Sequence, residues 1–194
     1  MRKLIVTNIV SVDGFFEGPG GNVLALPMDS TFDNYNRGRL RAAEFLLLGR
    51  RTFEMFQGFW PAMADHPQAS PVNREISRLN GAIAKRVVSD TLPEKVSGAW
   101  GSTTSVVRRS EAHAQLAALK QSGEKDILVF GSRSLWNDLL KAGLVDELHL
   151  MVGGVVLGGG TPAFDAGTQA GLELLGVEHW EGSSNVLHKY AVRR

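Results

Sequence analysis

The segment that decides the fold runs from Asp126 to Phe164 and reads DILVFGSRSLWNDLLKAGLVDELHLMVGGVVLGGGTPAF. Residues 127–130 form an apolar run about as long as one buried strand. Gly131 follows this run, and residues 134–142 carry leucines at the spacing of a helix. Residues 147–151 are again apolar enough for a strand. This order of strand, glycine turn, helix and strand predicts a βαβ unit.

The turn at Gly131 predicts an anion site. A helix that begins directly after it would aim free backbone N–H groups and the positive end of its dipole at the turn. We therefore expect a phosphate there, and our hypothesis is that the chain binds a phosphorylated dinucleotide. The turn lacks the Rossmann spacing G-x-G-x-x-G, and the P-loop pattern is absent from the sequence. Gly131 is therefore expected to supply only one part of the dinucleotide site, with the other part coming from a distant segment of the chain.

Composition limits the possible functions of the chain. Its 194 residues suit one domain with a sizeable core, so we expect a single domain over residues 1–194. The formal net charge of +1 gives no bulk attraction to nucleic acid or to an anionic membrane. The chain has no cysteine, which excludes disulfides, thiol catalysis and cysteine-based zinc sites.

Metal and membrane functions are not expected either. The five histidines are scattered, and no two of them share the i, i+4 spacing of a metal-binding helix. No apolar run approaches the roughly 18 residues that a membrane span needs, and polar residues interrupt the first apolar stretch before it resembles a signal peptide. The expected location is the cytoplasm. The serine-hydrolase pattern G-x-S-x-G is also absent.

Strands and helices alternate along the chain. This alternation predicts a mostly parallel sheet with helices on both faces, closed by a C-terminal antiparallel hairpin. The predicted strands are residues 4–12, 45–48, 83–88, 103–107, 127–130, 147–151, 172–180 and 186–192. The predicted helices are residues 30–43, 53–57, 71–79, 111–120 and 134–142. Residues 59–68 are expected to be irregular, and residues 18–22 to form a flexible loop.

A second strand, turn and helix carries two arginines. Gly49, Arg50, Arg51 and Thr52 follow the strand at residues 45–48. Two guanidinium groups beside free N–H groups suit a phosphate monoester, such as the 2′-phosphate that separates NADP from NAD. A solvated arginine pair at the start of a helix is the alternative interpretation.

Several polar or glycine turns should meet at one edge. The carboxyl ends of parallel strands lie together, and ligands bind there in open α/β sheets. The turns that the strand pattern places at this edge are Asp13–Gly14, Gly49–Thr52, Ser89–Asp90 and Gly131–Ser132. Their coincidence predicts a binding site more strongly than any one of them.

Two carboxylates are candidates for chemistry. Asp13 follows the first strand beside Gly14, where it either faces the cleft or caps a turn. Asp33 lies early in the second predicted element, where it could instead stabilise the helix dipole. If either is buried near a ligand, it could hold a protonated nitrogen or orient a heterocycle. The glycines at residues 158–160 either line the substrate side or form a plain loop.

These segments together resemble the dihydrofolate reductase superfamily, most closely the branch containing the reductase (C-terminal) domain of the bifunctional riboflavin-biosynthesis protein RibD. The resemblance covers nearly the whole chain and depends on the order and spacing of several motifs. They are Ser11–Gly14, Leu47–Glu54, Val88–Leu92, Ile127–Ser132, and Gly143–Leu148 leading into Val156–Gly160.

The resemblance implies NADPH as the hydride donor and assigns roles around it. Gly49, Arg50, Arg51 and Thr52 would bind the phosphates on the adenosine side. Ser89 would lie near the adenine ribose, and the Asp13–Gly14 loop near the nicotinamide. The pyrophosphate would lie at Gly131 and Ser132, followed by Arg133 and Ser134. Ser132 stands where the family has a second glycine, which is tolerable if this position needs no positive φ.

The expected function is hydride transfer from NADPH to a small polar heterocycle or sugar-phosphate adduct. The resemblance favours 5-amino-6-(5-phosphoribosylamino)uracil reductase, with dihydrofolate reductase as the alternative enzyme and a homodimer as the assembly. Asp33 lies roughly where the folate enzymes keep a substrate-binding carboxylate. A non-catalytic NADPH-binding protein and an α/β protein without a dinucleotide site are the alternatives of other classes. The missing cysteines exclude the zinc deaminase activity that RibD proteins usually add.

Overall fold

The computed structural model of the protein describes residues 2–193 and builds them mainly from strands and helices. The strands are β1 (Leu4–Ser11), β2 (Phe15–Glu17), β3 (Ala43–Gly49), β4 (Ala84–Val88), β5 (Thr104–Val107), β6 (Asp126–Phe130), β7 (Glu147–Gly153), β8 (Thr161–Pro162), β9 (Gly171–His179) and β10 (Val186–Arg193). The α-helices are α1 (Ser30–Ala42), α2 (Arg50–Met63), α3 (Pro71–Ala82), α4 (Arg109–Gln121) and α5 (Arg133–Lys141).

Eight strands form one mixed sheet in the order β5-β4-β3-β6-β1-β7-β10-β9. The six strands from β5 to β7 in this order are parallel. β10 is antiparallel to both β7 and β9, so the predicted C-terminal hairpin is confirmed. The segment Asp126–Phe164 contains the predicted strand, turn, helix and strand, with β1 inserted between β6 and β7.

Helices cover both faces of this sheet because the chain changes direction. It moves outward from β1 through β3 and β4 to β5, then returns to β6 and crosses to β7. Since crossovers between parallel strands are right-handed, the outward and returning helices lie on opposite faces. Two cores result. One joins α4 and α5 to the sheet and includes Leu116 and Trp136, and the other joins α1, α2 and α3 and includes Phe53 and Ile76.

The second helix is longer than the sequence predicts. A helix over residues 53–57 followed by an irregular segment was expected, and this is wrong, because α2 runs unbroken from Arg50 to Met63. Pro61 lies within the helix, two residues before its end, and removes one backbone hydrogen bond that the apolar contacts of the helix offset. Phe53 is buried, and Phe56 and Trp60 pack against the same core, which gives the helix a continuous apolar face.

The connection after β1 is more ordered than a flexible loop. Residues 19–21 and 23–25 form short 3₁₀ turns, and Gly18 bridges to Asn22. β2 pairs with β8 as a small antiparallel sheet that the sequence does not predict. Within residues 2–193, no helix combines the length and the apolar character needed to cross a membrane.

Candidate functional site

The four turns lie in one row along the carboxyl edge of the sheet. Ser89 follows β4, Arg50 follows β3, Gly131 follows β6 and Asp13 follows β1. These strands are consecutive neighbours in the sheet. With about 4.8 Å between strands, the row is roughly 14 Å long. The turns therefore face a single elongated cleft.

Two of these turns are joined by hydrogen bonds. The N–H of Ser132 donates to Thr52 Oγ1 at 2.9 Å, and the N–H of Gly49 donates to Ser132 Oγ at 3.0 Å. β3 and β6 are adjacent, but their following helices α2 and α5 lie on opposite faces. Such a divergence opens a crevice at the carboxyl ends of the two strands. Residues 80 positions apart in sequence thus form one junction.

The junction requires unusual backbone conformations. Gly131 has φ +52°, and a Cβ there would lie 2.9 Å from Thr52 Cγ2. Ser132 also has a positive φ, 52°, and is the one non-glycine residue among residues 2–193 that does. A serine was expected to be tolerated at position 132 only without a positive φ, and the structure has a positive φ there. The Ser132 hydrogen bonds to Thr52 and Gly49 offset a conformation that costs roughly 1–3 kcal/mol.

The start of α5 presents unpaired donors to the cleft. The N–H groups of Leu135 and Trp136 bond back to the Ser132 carbonyl. In the part of the chain that the structure describes, the N–H groups of Arg133 and Ser134 have no hydrogen-bond acceptor. With the helix dipole behind them, they form the arrangement that binds phosphate. The Arg133 side chain turns elsewhere, because its Nη1 lies 2.9 Å from Asp165 Oδ1.

The two arginines of the second turn differ in their contacts. Arg50 donates from Nη1 to Thr91 Oγ1 at 2.9 Å, and its Nε lies 3.7 Å from Glu54. Arg51 is exposed and has no ion-pair partner within residues 2–193. Arg50 is therefore already oriented along the edge, and Arg51 is free to contact a bound anion.

Ser89 organises the turn after β4. Its side chain is buried, and its Oγ accepts hydrogen bonds from the N–H groups of Thr91 and Leu92. Arg108 donates from Nη1 to the carbonyls of Ser89 and Leu92 at 3.0 and 2.9 Å. The neighbouring Asp90 accepts the Arg109 N–H at 2.9 Å. The turn is thus held in a fixed shape beside Arg50 and Thr91.

Asp13 bonds to the glycine loop at residues 157–160. Its Oδ1 accepts the Leu157 N–H at 3.1 Å, and its Oδ2 accepts the Gly158 N–H at 2.7 Å. These bonds, together with a hydrogen bond from Ser11 that contributes most, lower the pKa of Asp13 to about 2. Both oxygens of this exposed carboxylate are therefore engaged in holding the loop beside Gly14.

Asp33 has the opposite electrostatic setting. It lies in the first turn of α1, which Asp29 caps by accepting the N–H groups of Thr31 and Phe32. Because α1 leads into the amino end of β3, its first turn lies toward the carboxyl edge of the sheet. Burial raises the pKa of Asp33 above its ordinary value, and a hydrogen bond with Asn73 opposes this shift. Asp33 can therefore be protonated at a higher pH than an exposed carboxylate.

The sequence did not identify two buried polar groups. Asn137 is fully buried in α5 and donates to the carbonyls of Arg133 and Ala163. His149 is buried in β7, with Nδ1 2.6 Å from the Tyr35 hydroxyl and Nε2 2.9 Å from Glu147 Oε2. The only sequence signals are a polar residue in an apolar helix face and a histidine inside an apolar strand, and neither reveals its partner.

The sequence profile of the RibD C-terminal domain matches residues 2–187. The chain is 28% identical over 195 residues to the uncharacterized protein YyaP of Bacillus subtilis (strain 168). The aligned region covers 93% of this chain and 96% of that protein. A candidate riboflavin biosynthesis protein of Shewanella sp. PV-4 has a similar structure, with a TM-score of 0.72, 21% identity and complete coverage of both chains.

Two further solved structures share the fold. A diaminohydroxyphosphoribosylaminopyrimidine deaminase/5-amino-6-(5-phosphoribosylamino)uracil reductase of Thermotoga maritima matches with a TM-score of 0.68 at 12% identity, over 99% of this chain and 57% of that one. Dihydrofolate reductase of Enterococcus faecalis matches with a TM-score of 0.60 at 16% identity, over 99% and 97% of the two chains. The chain has a dihydrofolate-reductase-like fold and belongs to the RibD C-terminal domain family.

Proposed function

We propose that the chain is an NADPH-dependent reductase of the riboflavin-biosynthesis type, acting on 5-amino-6-(5-phosphoribosylamino)uracil or a close relative. The observation that carries the proposal is the junction of Thr52, Ser132 and Gly49. It brings a turn with two arginines next to a helix start with free N–H groups. A dinucleotide with a 2′-phosphate needs arginines for that phosphate and free N–H groups for its pyrophosphate, and neither turn supplies both.

The residues along the edge fit NADPH in a definite order. Arg50 and Arg51 would hold the 2′-phosphate, and Ser89 would lie beside the adenine ribose. Gly131–Ser134 would hold the pyrophosphate, since the N–H groups of Arg133 and Ser134 are free at the start of α5. Asp13–Gly14 would then border the nicotinamide. NADPH, when bound, supplies the hydride.

The protein would contribute orientation and a proton. We assign the substrate side to Asp33, because burial favours its protonated form and so allows it to donate a hydrogen bond or a proton. Asp13 is assigned a positioning role, since both of its oxygens already hold residues 157 and 158.

Substrate-dependent oxidation of NADPH tests this function. The absorbance of NADPH should fall when the phosphoribosylaminouracil substrate is added, and it should not fall with dihydrofolate. Oxidation with dihydrofolate alone would favour the folate enzyme instead. Binding of NADPH without oxidation by either substrate would identify a non-catalytic binding protein. Asp33→Asn should reduce turnover while leaving the affinity for NADPH within about twofold.

The assembly proposed here is a homodimer through the C-terminal hairpin. β9 is an edge strand of the large sheet, and Leu172, Leu174, Leu175 and Val177 on it are 37–56% exposed. Uncovered apolar side chains on an edge strand invite pairing with another chain. Light scattering should give twice the monomer mass, and Leu174→Glu should shift it toward the monomer.

A further inference from the structure

Residues 161–168 form a strap that crosses one face of α5. Three side chains at i, i+4 and i+8 hold it there. Arg133 Nη1 lies 2.9 Å from Asp165 Oδ1, and Lys141 Nζ lies 3.0 Å from Asp165 Oδ2. Between them, Asn137 Oδ1 accepts the Asp165 N–H at 2.9 Å. Asp165 is thus fixed by both its carboxylate and its backbone.

The strap also reaches the opposite side of the cleft. Within it, the Ala163 N–H donates to the carbonyl of Gly14 at 2.9 Å. β8 pairs with β2, and Thr161 Oγ1 donates to Glu17 Oε1 at 2.7 Å. The strap therefore connects the start of α5 with the loop that carries Gly14.

Arg133 is the element shared between the strap and the proposed pyrophosphate turn. Its own N–H is one of the two free donors at the start of α5. Its guanidinium is directed away from the turn, toward Asp165 and the carbonyl of Pro162. A phosphate held by the Arg133 and Ser134 N–H groups would lie within reach of this side chain and would attract it.

Asp165 can release Arg133 without becoming an isolated charge. Lys141 contacts the second oxygen of the same carboxylate, and the Arg133–Asp165 pair is partly exposed, with 20% and 34% of the side chains accessible. A partly exposed ion pair contributes little net free energy. The exchange therefore costs mainly the hydrogen bond that Arg133 Nε donates to the Pro162 carbonyl. A doubly charged pyrophosphate is a stronger partner for arginine than one carboxylate that already has a lysine.

We propose that Arg133 exchanges Asp165 for the cofactor pyrophosphate, so that Asp165 sets the affinity for NADPH and cofactor binding loosens the strap beside Gly14. The inference depends on the proposed function, because the competing anion is the pyrophosphate of NADPH. Binding of the cofactor would thereby loosen the strap on the substrate side of the cleft.

Calorimetric titration with NADPH tests the exchange in three proteins. Asp165→Asn removes the competitor of the pyrophosphate and should bind NADPH about three- to tenfold tighter than the wild type. Lys141→Met is the matched control, because it also removes one contact between the strap and α5 but leaves Arg133 as the one cation on Asp165, so its NADPH affinity should equal that of the wild type or be weaker. Hydrogen exchange of the Ala163 and Asp165 amides in the wild type should become several-fold faster when NADPH saturates the protein.

Each other outcome has a definite meaning. NADPH binding that is equally tight in the wild type and in Asp165→Asn overturns the exchange and leaves the proposed function standing. Equally tighter NADPH binding in Asp165→Asn and Lys141→Met also overturns the exchange, since loosening the strap would then be enough to raise the affinity. Amide exchange at residues 163 and 165 that is unchanged or slower with NADPH overturns the coupling. If none of the three proteins binds NADPH, the proposed function fails, and the exchange fails with it.

Discussion

Replacing Arg51 with alanine should weaken NADPH binding and leave NADH binding unchanged. The two cofactors differ by the 2′-phosphate alone, and Arg51 is exposed and has no ion-pair partner among residues 2–193. It therefore gives up no existing contact when it meets the phosphate. A charge-assisted hydrogen bond contributes about 1.5–3 kcal/mol, and solvent screening at an exposed site reduces this to roughly 1–1.5 kcal/mol. The expected loss is about tenfold in affinity.

Arg50 should contribute less than Arg51 by itself. Its guanidinium already donates to Thr91 and lies near Glu54, and these contacts must be rearranged before it can bind a phosphate. We expect Arg50→Ala to weaken NADPH binding about threefold and the double variant about thirtyfold. The ratio of the two cofactor affinities should fall accordingly.

Isothermal titration with NADPH and NADH measures both affinities under the same conditions. Lys125→Ala is the matched control, because this exposed lysine precedes β6 at the opposite edge of the sheet and its loss changes the net charge equally. If Arg50 and Arg51 bind the 2′-phosphate, the NADPH affinity should also fall as salt increases. Equal losses for NADPH and NADH in the double variant would refute the assignment.

Three further variants test polar groups inside the fold. Lys85 is fully buried, and desolvation lowers its pKa to about 8. The unfolding free energy of the wild type should therefore rise by about 3 kcal/mol as the pH goes from about 8 to 10.5. Urea titrations of Lys85→Met should lack this rise. Burial lowers the pKa of His149 to about 4. The unfolding free energy of the wild type should therefore fall by about 3 kcal/mol as the pH falls from 6.5 to 4. The unfolding free energy of His149→Gln should depend less on pH over this range. Thr52→Val leaves the Ser132 N–H without its acceptor and should lower the unfolding free energy by about 1–3 kcal/mol. Thr91→Val, at an exposed position, is the control and should lower it by less than about 0.5 kcal/mol. Equal losses in the two variants would contradict the hydrogen bond between Thr52 and Ser132.

Local patterns were sufficient for most of the fold. The apolar run before Gly131 and the leucine stripe after it predict β6 and α5, because both signals lie within one segment. The same reasoning ended α2 too early. Pro61 looks like a helix breaker in sequence, but the hydrogen bond that it removes is offset because Phe53, Phe56 and Trp60 pack on one core.

The site was only partly predictable, because its contacts join distant segments. The position of the turns follows from the parallel strands, which the sequence indicates. The left-handed conformation of Ser132 does not, since it depends on hydrogen bonds to Thr52 and Gly49 across the crevice. The pairing of Arg133 with Asp165 likewise depends on where residues 161–168 return to α5, and no local pattern encodes that return.

A crystal structure with bound NADPH tests the central claim most directly. We expect the 2′-phosphate at Arg50 and Arg51, the pyrophosphate at the start of α5 near Gly131, and the nicotinamide beside Gly14. The cofactor would then follow the row of turns across β4, β3, β6 and β1. NADPH bound anywhere else, or bound without contact to both the arginine turn and the start of α5, would contradict the account.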